Sequence, residues 1–228
     1  MSLTVDNLSH TYSSSNLAER NVLSHVTFTL KAGEQLLLRG ISGSGKTTLI
    51  NILAGLLSPT SGNVTLGNQD IYAMAEAERD EWRRKTIGYV FQTHQLLPLL
   101  NAWENVAMPL AFAGVSRGES KSQAVALLES VGLADHAANR PKQLSTGQRQ
   151  RVAIARALIN QPKLILADEP TAALDEGAAA DALVLLQERC KKQNTILIVA
   201  SHDPLLDGRF ERVADLNYGN LVEHSVPA

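Results

Sequence analysis

Apolar and polar positions alternate over residues 3–12, LTVDNLSHTY, and again over 22–30, VLSHVTFTL, the period-2 pattern of half-buried strands. Polar residues 13–21 separate the two runs, so an antiparallel sheet is expected to open the chain. A short apolar run, Leu36 to Leu38, precedes a change to helical spacing: Leu49, Ile50, Leu53, Leu56 and Leu57, closed by Pro59 and Ser61-Gly62. Asn63 to Leu66 reads as a short strand ended by Gly67-Asn68. Residues 74–85 are charged, with no apolar face wide enough to be central, and predict a solvated helical connector; Thr86 to Phe91, TIGYVF, is a β-rich run. Ala124, Leu127, Leu128 and Val131 form an i, i+3, i+4, i+7 stripe capped by Gly132. Val152, Ala153, Ile154, Ala157 and Leu158 predict a core helix, Lys163 to Ala167 a strand, Asp175 to about Cys190 a helix, Thr195 to Ala200 a strand, and 213–223 a terminal hairpin.

The first apolar strand runs into Gly40 to Thr47, GISGSGKT, which matches G-x-x-x-x-G-K-[ST] at every fixed position. Gly40, Gly43 and Gly45 let the backbone turn its N–H groups toward an anion, and the helix that follows adds its positive end. Lys46 is placed to reach the β- and γ-phosphates of a nucleoside triphosphate, and the Thr47 hydroxyl to ligate Mg²⁺.

The chain has 228 residues, enough for one large α/β domain or a core with an inserted subdomain. A formal net charge of −2 gives no general attraction to nucleic acid. The single cysteine, Cys190, fits a reducing compartment. No basic-apolar-small leader opens the chain, and its apolar runs fall well short of the ~20 residues that span a bilayer.

Candidate polar groups recur where strands end. Gln92 follows TIGYVF, Asp168 and Glu169 follow Lys163 to Ala167, and His202 follows Thr195 to Ala200, as Gly40 follows Leu36 to Leu38. In a mostly parallel sheet, ligands bind outside the carboxyl ends of the strands. Adjacent strand positions point to opposite faces, so Asp168 and Glu169 are expected to take different roles. Ser145 with Gln148 makes a capping box, whose exposed N–H groups also suit an anion. Tyr12 lies just past the first strand, where its ring either packs or stacks on a base. Residues 93–143 break the α/β rhythm and predict an inserted helical subdomain. Its loop residues Leu96, Leu97, Leu99, Leu100 and Trp103 either pack within it or form a docking patch.

In this order, Gly40 to Thr47, Gln92, Leu144 to Gln148, Leu164 to Glu169, Ala173-Leu174-Asp175 and His202 resemble the nucleotide-binding subunit of an ATP-binding cassette (ABC) transporter. The resemblance spans almost the whole chain. LPLLNAWENVAMPL is similar to the group of lipoprotein-releasing, macrolide-exporting and cell-division cassettes. The implied fold class is α/β: a P-loop NTPase core of residues 1–92 and 144–228 with a mostly parallel sheet and an N-terminal antiparallel β subdomain, and a helical subdomain over 93–143.

The resemblance also implies an ATPase that uses ATP and Mg²⁺. Tyr12 stacks on adenine, and Gly40, Ser42, Gly43, Ser44, Gly45, Lys46, Thr47 and Thr48 hold the phosphates. Thr47, Gln92 and Asp168 attend the metal. Glu169 activates water, His202 contacts the γ-phosphate, and Gln92 reaches the attacking water. Ser145, Thr146, Gly147 and Gln148 contact the nucleotide of a second subunit in a head-to-tail dimer, with a second copy of this chain the expected partner, and Asp175 lies along that interface. Integral-membrane permease subunits dock on the 93–110 region, so the chain is peripheral on the cytoplasmic face of a bacterial inner membrane. A regulatory cassette, moving a membrane partner without transporting a substrate, uses the same residues. One departure stands out: Thr146 replaces the first glycine of L-S-G-G-Q, and a β-branched residue there disfavours φ > 0. Ala172 stands where serine is common, with little consequence expected.

Overall fold

The alternating runs at the start of the chain form strands longer than their pattern marks. In the computed structural model, which describes residues 1–14 and 17–225, the chain passes through β1 (Ser2–Ser14), β2 (Leu17–Lys31), β3 (Gln35–Arg39), α1 (Lys46–Leu53), β4 (Ser61–Leu66), β5 (Gln69–Asp70), α2 (Glu76–Thr86) and β6 (Ile87–Val90). It continues through α3 (Ala102–Phe112), α4 (Arg117–Ser130), α5 (Thr146–Leu158), β7 (Leu164–Asp168), α6 (Glu176–Gln193), β8 (Ile196–Ser201), β9 (Arg212–Asn217) and β10 (Asn220–Ser225). Of the expected polar separator 13–21, residues 15 and 16 lie outside the described residues. The chain divides into two units, 1–83 with 196–228, and 84–195.

In the first unit, an antiparallel sheet runs in the order β2-β1-β4-β5. Val5 and Leu8 are both fully buried although an odd spacing puts them on opposite faces of a regular strand. A register shift between them solves the conflict. Asn7 (φ 50°) and His25 (φ 51°) take the left-handed turn, and their side chains meet with His25 Nδ1 2.7 Å from Asn7 Oδ1. The same unit carries β3, parallel to both β8 and β9, with β10 antiparallel on β9. The expected 213–223 hairpin is thus present.

Helix α1 is shorter than its apolar spacing predicts. It stops at Leu53, Gly55 turns the chain at φ 69°, and the N–H groups of Leu56 and Leu57 both donate to Asn51 O, which leaves Leu56 exposed. The charged helix α2 also departs from expectation, because Trp82 is buried and Arg83 Nη1 donates to Gly55 O at 2.8 Å.

In the second unit β6 and β7 pair in parallel. A helical core gathers Val106 of α3, Ala124 and Leu128 of α4, and Val152 and Ala155 of α5, so the stripe read on α4 is the buried one. Asn105, itself fully buried, organises the apolar loop that precedes α3. Its Nδ2 donates to Leu97 O, Leu100 O and Asn101 O, and its Oδ1 accepts from Leu97 N–H. Every polar atom of that amide is therefore used, a strong determinant of one loop shape. Cys190 on α6 is fully buried, and burial pushes its thiol up to about 12. Among the described residues no helix is long and apolar enough to cross a membrane.

Candidate active site

Two adjacent parallel strands of the first unit deliver the phosphate loop and His202 side by side. Arg39, the last residue of β3, is in register with Ser201, the last residue of β8, so Gly40 and His202 leave the sheet at neighbouring carboxyl ends. The loop then turns through Gly43 (φ 79°) and Gly45 (φ 109°) into α1, whose N-cap Gly45 offers no side-chain acceptor. The first N–H groups of that helix are consequently left for an anion. A Cβ at Gly40 would lie 2.5 Å from Leu216 O and 2.7 Å from Ser44 Oγ, which explains the glycine by space alone.

Lys46 is buried and its Nζ donates to Gly40 O at 2.6 Å and Ile41 O at 3.2 Å, so the ammonium is held over the loop it serves. Ser44 Oγ is buried and has no hydrogen-bond partner among the described residues, a hydroxyl suited to a phosphate oxygen. Ser42 and Thr47 are exposed, while Thr48 is buried. The Tyr12 hydroxyl lies 3.3 Å from Thr48 Oγ1, and its ring, 46 % exposed, stands edge-on to His10 at a centroid distance of 4.6 Å. Burial holds the His10 imidazole below its usual pKa.

The second unit repeats the device. Val90 of β6 is in register with Ala167 of β7, so Gln92 and the pair Asp168-Glu169 follow neighbouring parallel strands at the same end. The two carboxylates do not simply alternate along a strand, as the sequence suggested. Asp168 closes β7, whereas Glu169 lies beyond it with φ 47° and is buried. A left-handed turn in a non-glycine residue aims the Glu169 side chain independently of the strand, and such strain concentrates at working sites. Tyr89, one pair upstream, is pushed above its usual pKa by burial and then by the charge of Asp168.

Ser145 is the N-cap of α5, and its Oγ accepts from Gln148 N–H while Gln148 Oε1 accepts from Ser145 N–H. Thr146 is the first helical residue and does not have positive φ, so the backbone objection to a β-branched residue does not apply there. Its Oγ1 accepts from Arg149 Nη2 at 3.0 Å. Asp175 is the N-cap of α6, accepting from Ala178 N–H, and a Cβ on Gly147 would meet Ala178 Cβ at 3.6 Å, an ordinary contact.

Several residues beside the site escaped the sequence reading. The other end of the Gln148 amide, Nε2, lies 2.9 Å from His136 Nε2. His94, soon after Gln92, is buried, and its imidazole is held below its usual pKa by burial and then by Arg149 and Arg156. The signal available was modest: two arginines seven apart on α5, two helical turns and therefore one face. Among the described residues no three or more His, Cys, Asp or Glu side chains gather as a metal site. A Mg²⁺ ion bound through one or two carboxylates and substrate phosphates needs no such cluster.

The sequence profile of the family described as ABC transporter matches residues 23–172. The lipoprotein-releasing system ATP-binding protein LolD of Legionella pneumophila (strain Paris) is 46 % identical over 200 residues, 88 % of either chain. The uncharacterised ABC transporter ATP-binding protein YvrO of Bacillus subtilis (strain 168) is 44 % identical over 220 residues, 96 % of this chain and 95 % of that one. Among solved structures, the dimeric post-hydrolysis state of the ATP-binding cassette MJ0796, bound to ADP and Pi, matches with a TM-score of 0.89 at 36 % identity over 99 % of both chains. A family profile over residues 23–172 and relatives 44–46 % identical along most of the chain agree with the glycine loop and its neighbouring strand ends, and the chain belongs to the ABC transporter family.

Proposed function

We propose that this chain is the ATP-binding and ATP-hydrolysing subunit of an ABC transporter, paired head-to-tail with a second copy around two ATP molecules and driving separate integral-membrane permease subunits. The observation that carries the reading is the delivery of polar groups at parallel strand ends in each unit, Gly40 with His202 and Gln92 with Asp168-Glu169. The relatives named above support the transporter assignment, and the dimeric cassette supports the pairing. The subunit rests on the cytoplasmic face of a bacterial inner membrane, held there by its permease partners.

Adenine stacks on Tyr12. The N–H groups of residues 40–48, with the Ser42 and Ser44 hydroxyls and the Lys46 ammonium, bind the phosphates and balance the charge that grows during transfer. Thr47, Gln92 and Asp168 would hold Mg²⁺, which would supply Lewis-acid polarisation at the phosphates. Glu169 takes a proton from the attacking water, its oxygen forms the new bond to the γ-phosphorus, and the bond to the β-phosphate oxygen breaks with ADP as leaving group. His202 donates to the γ-phosphate, and Gln92 orients the water. Ser145, Thr146, Gly147 and Gln148 present the N-terminus of α5 to the partner's nucleotide, with Asp175 beside them. The helical subdomain over 93–143 receives the permease through 93–110, where Leu99 is 80 % exposed on the loop that Asn105 shapes.

The test is ATP hydrolysis by the purified chain, read as phosphate release, beside Lys46→Ala. Activity that depends on Mg²⁺ and disappears in the variant is expected. Equal phosphate release by both proteins overturns the assignment.

A further inference from the structure

The backbone just after Gln92 follows an unusual course. His94 (φ 60°) and Gln95 (φ 45°) are consecutive residues in the left-handed region, and neither is glycine. Two successive side chains with that φ are sterically disfavoured and persist only when their surroundings hold them. Locally, Gln95 N–H donates to Thr93 O at 2.6 Å and His94 N–H to Phe91 O at 3.1 Å.

What grips the segment comes from α5. Arg156 donates from Nη1 to Gln95 O and from Nη2 to His94 O, each at 2.7 Å, so one planar guanidinium spans the two strained peptides. Charge-assisted bonds of this length are the strong kind, and a forked donor fixes direction as well as distance. Burial holds the Arg156 pKa below its usual value, yet a guanidinium stays charged at any working pH. Seven residues earlier, on the same helical face, Arg149 donates to Leu144 O at 3.2 Å and to Thr146 Oγ1 at 3.0 Å, and its charge also acts on His94. Helix α5 therefore holds the residues from Leu144 to Thr146 at its start and the segment after Gln92 near its end.

We propose that Arg156 is the positioning residue for Gln92: its grip on the carbonyls of His94 and Gln95 sets where the Gln92 amide stands and makes it move with the Ser145 end of α5. The inference rests on the role given to Gln92 above and adds a residue that acts through the main chain of the loop. Rigid coupling through one helix means that displacement of the loop at 93–95 is felt at Ser145, two of the parts a cassette must bring together to hydrolyse ATP.

The test is Arg156→Lys, which keeps the charge and most of the packing but cannot span two carbonyls. Misplacement of a reacting group by about 1 Å costs up to ~10²-fold, so kcat should fall by roughly 10- to 100-fold. Affinity for a non-hydrolysable ATP analogue and the melting temperature should stay close to wild type, since the phosphate loop is untouched. Adding Gln95→Gly, which removes one steric conflict, should restore part of the lost turnover. Three results overturn the proposal: kcat unchanged in Arg156→Lys, a fall in kcat matched by equal losses of affinity and melting temperature, or no recovery with Gln95→Gly. Gln92→Ala separates the two levels. Normal turnover in that variant removes Gln92 from the mechanism, whereas a loss there beside normal Arg156→Lys removes only the positioning role.

Discussion

The Tyr12 hydroxyl lies 3.3 Å from Thr48 Oγ1, which ties the end of β1 to the helix that follows the phosphate loop. The ring stands beside that helix, about half exposed, with His10 edge-on to it. Such a platform suits a base, which every nucleotide offers as a flat π surface.

Tyr12→Ala should accordingly weaken ATP binding by roughly 1–3 kcal/mol, the range for loss of base stacking, and Tyr12→Trp should be mild. Equilibrium binding of a fluorescent ATP analogue measures both. Equal affinity of wild type and the alanine variant returns Tyr12 to a packing role.

Glu169→Gln keeps the size of the side chain and accepts the same left-handed backbone, so folding and ATP binding should persist. Turnover should fall by at least ~10²-fold, the scale of a lost general base. With ATP the variant should accumulate as a dimer on gel filtration. Near-normal phosphate release would assign water activation to another group.

Thr146→Gly restores the more usual signature residue but should not speed hydrolysis. Thr146 already has an ordinary helical backbone, and the change removes its bond to Arg149 and adds a glycine to α5, worth up to about 1 kcal/mol of helix stability. The expected result is a slightly lower melting temperature with kcat within about twofold of wild type. A large rise in kcat would show that Thr146 restrains catalysis after all.

On the surface expected to meet the permease, four of the five apolar candidates separate. Leu99 is 80 % exposed and Leu97 43 %, while Leu96 and Trp103 pack on the helical core, with Arg117 and Lys121 lying over the Trp103 ring. Leu99→Asp should abolish co-purification with the membrane subunit and spare basal ATPase and melting. Trp103→Asp should instead lower stability by several kcal/mol, as loss of a packed aromatic does. Retained complex formation with Leu99→Asp moves the docking surface away from this loop.

Gly88→Ala probes the core of the second unit. Its new Cβ would stand 2.3 Å from Ala157 O, so β6 or α5 must move, and overpacking of this kind costs typically 1–3 kcal/mol. Denaturant unfolding reads the loss, and unchanged stability would mean that the two elements separate freely.

How much of this was legible in the sequence depended on the range of the interaction. The turn of the glycine loop was legible because Gly43 and Gly45 take a backbone that favours glycine, and the Ser145-Gln148 box because both partners lie within one turn. The α4 stripe was legible because one periodicity sets its buried face. Leu56 misled, since an αL glycine at position 55 ends α1 before the apolar spacing does. The aim of Glu169 was hidden, because nothing in Asp-Glu announces a positive φ at the second residue. Hidden too were Asn105 and Arg156, whose partners are main-chain carbonyls, and carbonyls leave no trace in residue identity.

The fully buried Cys190 gives the molecule an internal clock. A thiolate is the reactive form, and a thiol pushed up to about 12 within a close-packed helix is almost never ionised or within reach of a reagent. Alkylation must then wait for α6 to come away from its neighbours, so with excess reagent the modification rate counts opening events of the chain instead of surface chemistry. Any ligand that favours the closed chain slows that clock, and nucleotide occupancy becomes readable as a lengthening of thiol half-life without labelling or tagging the protein.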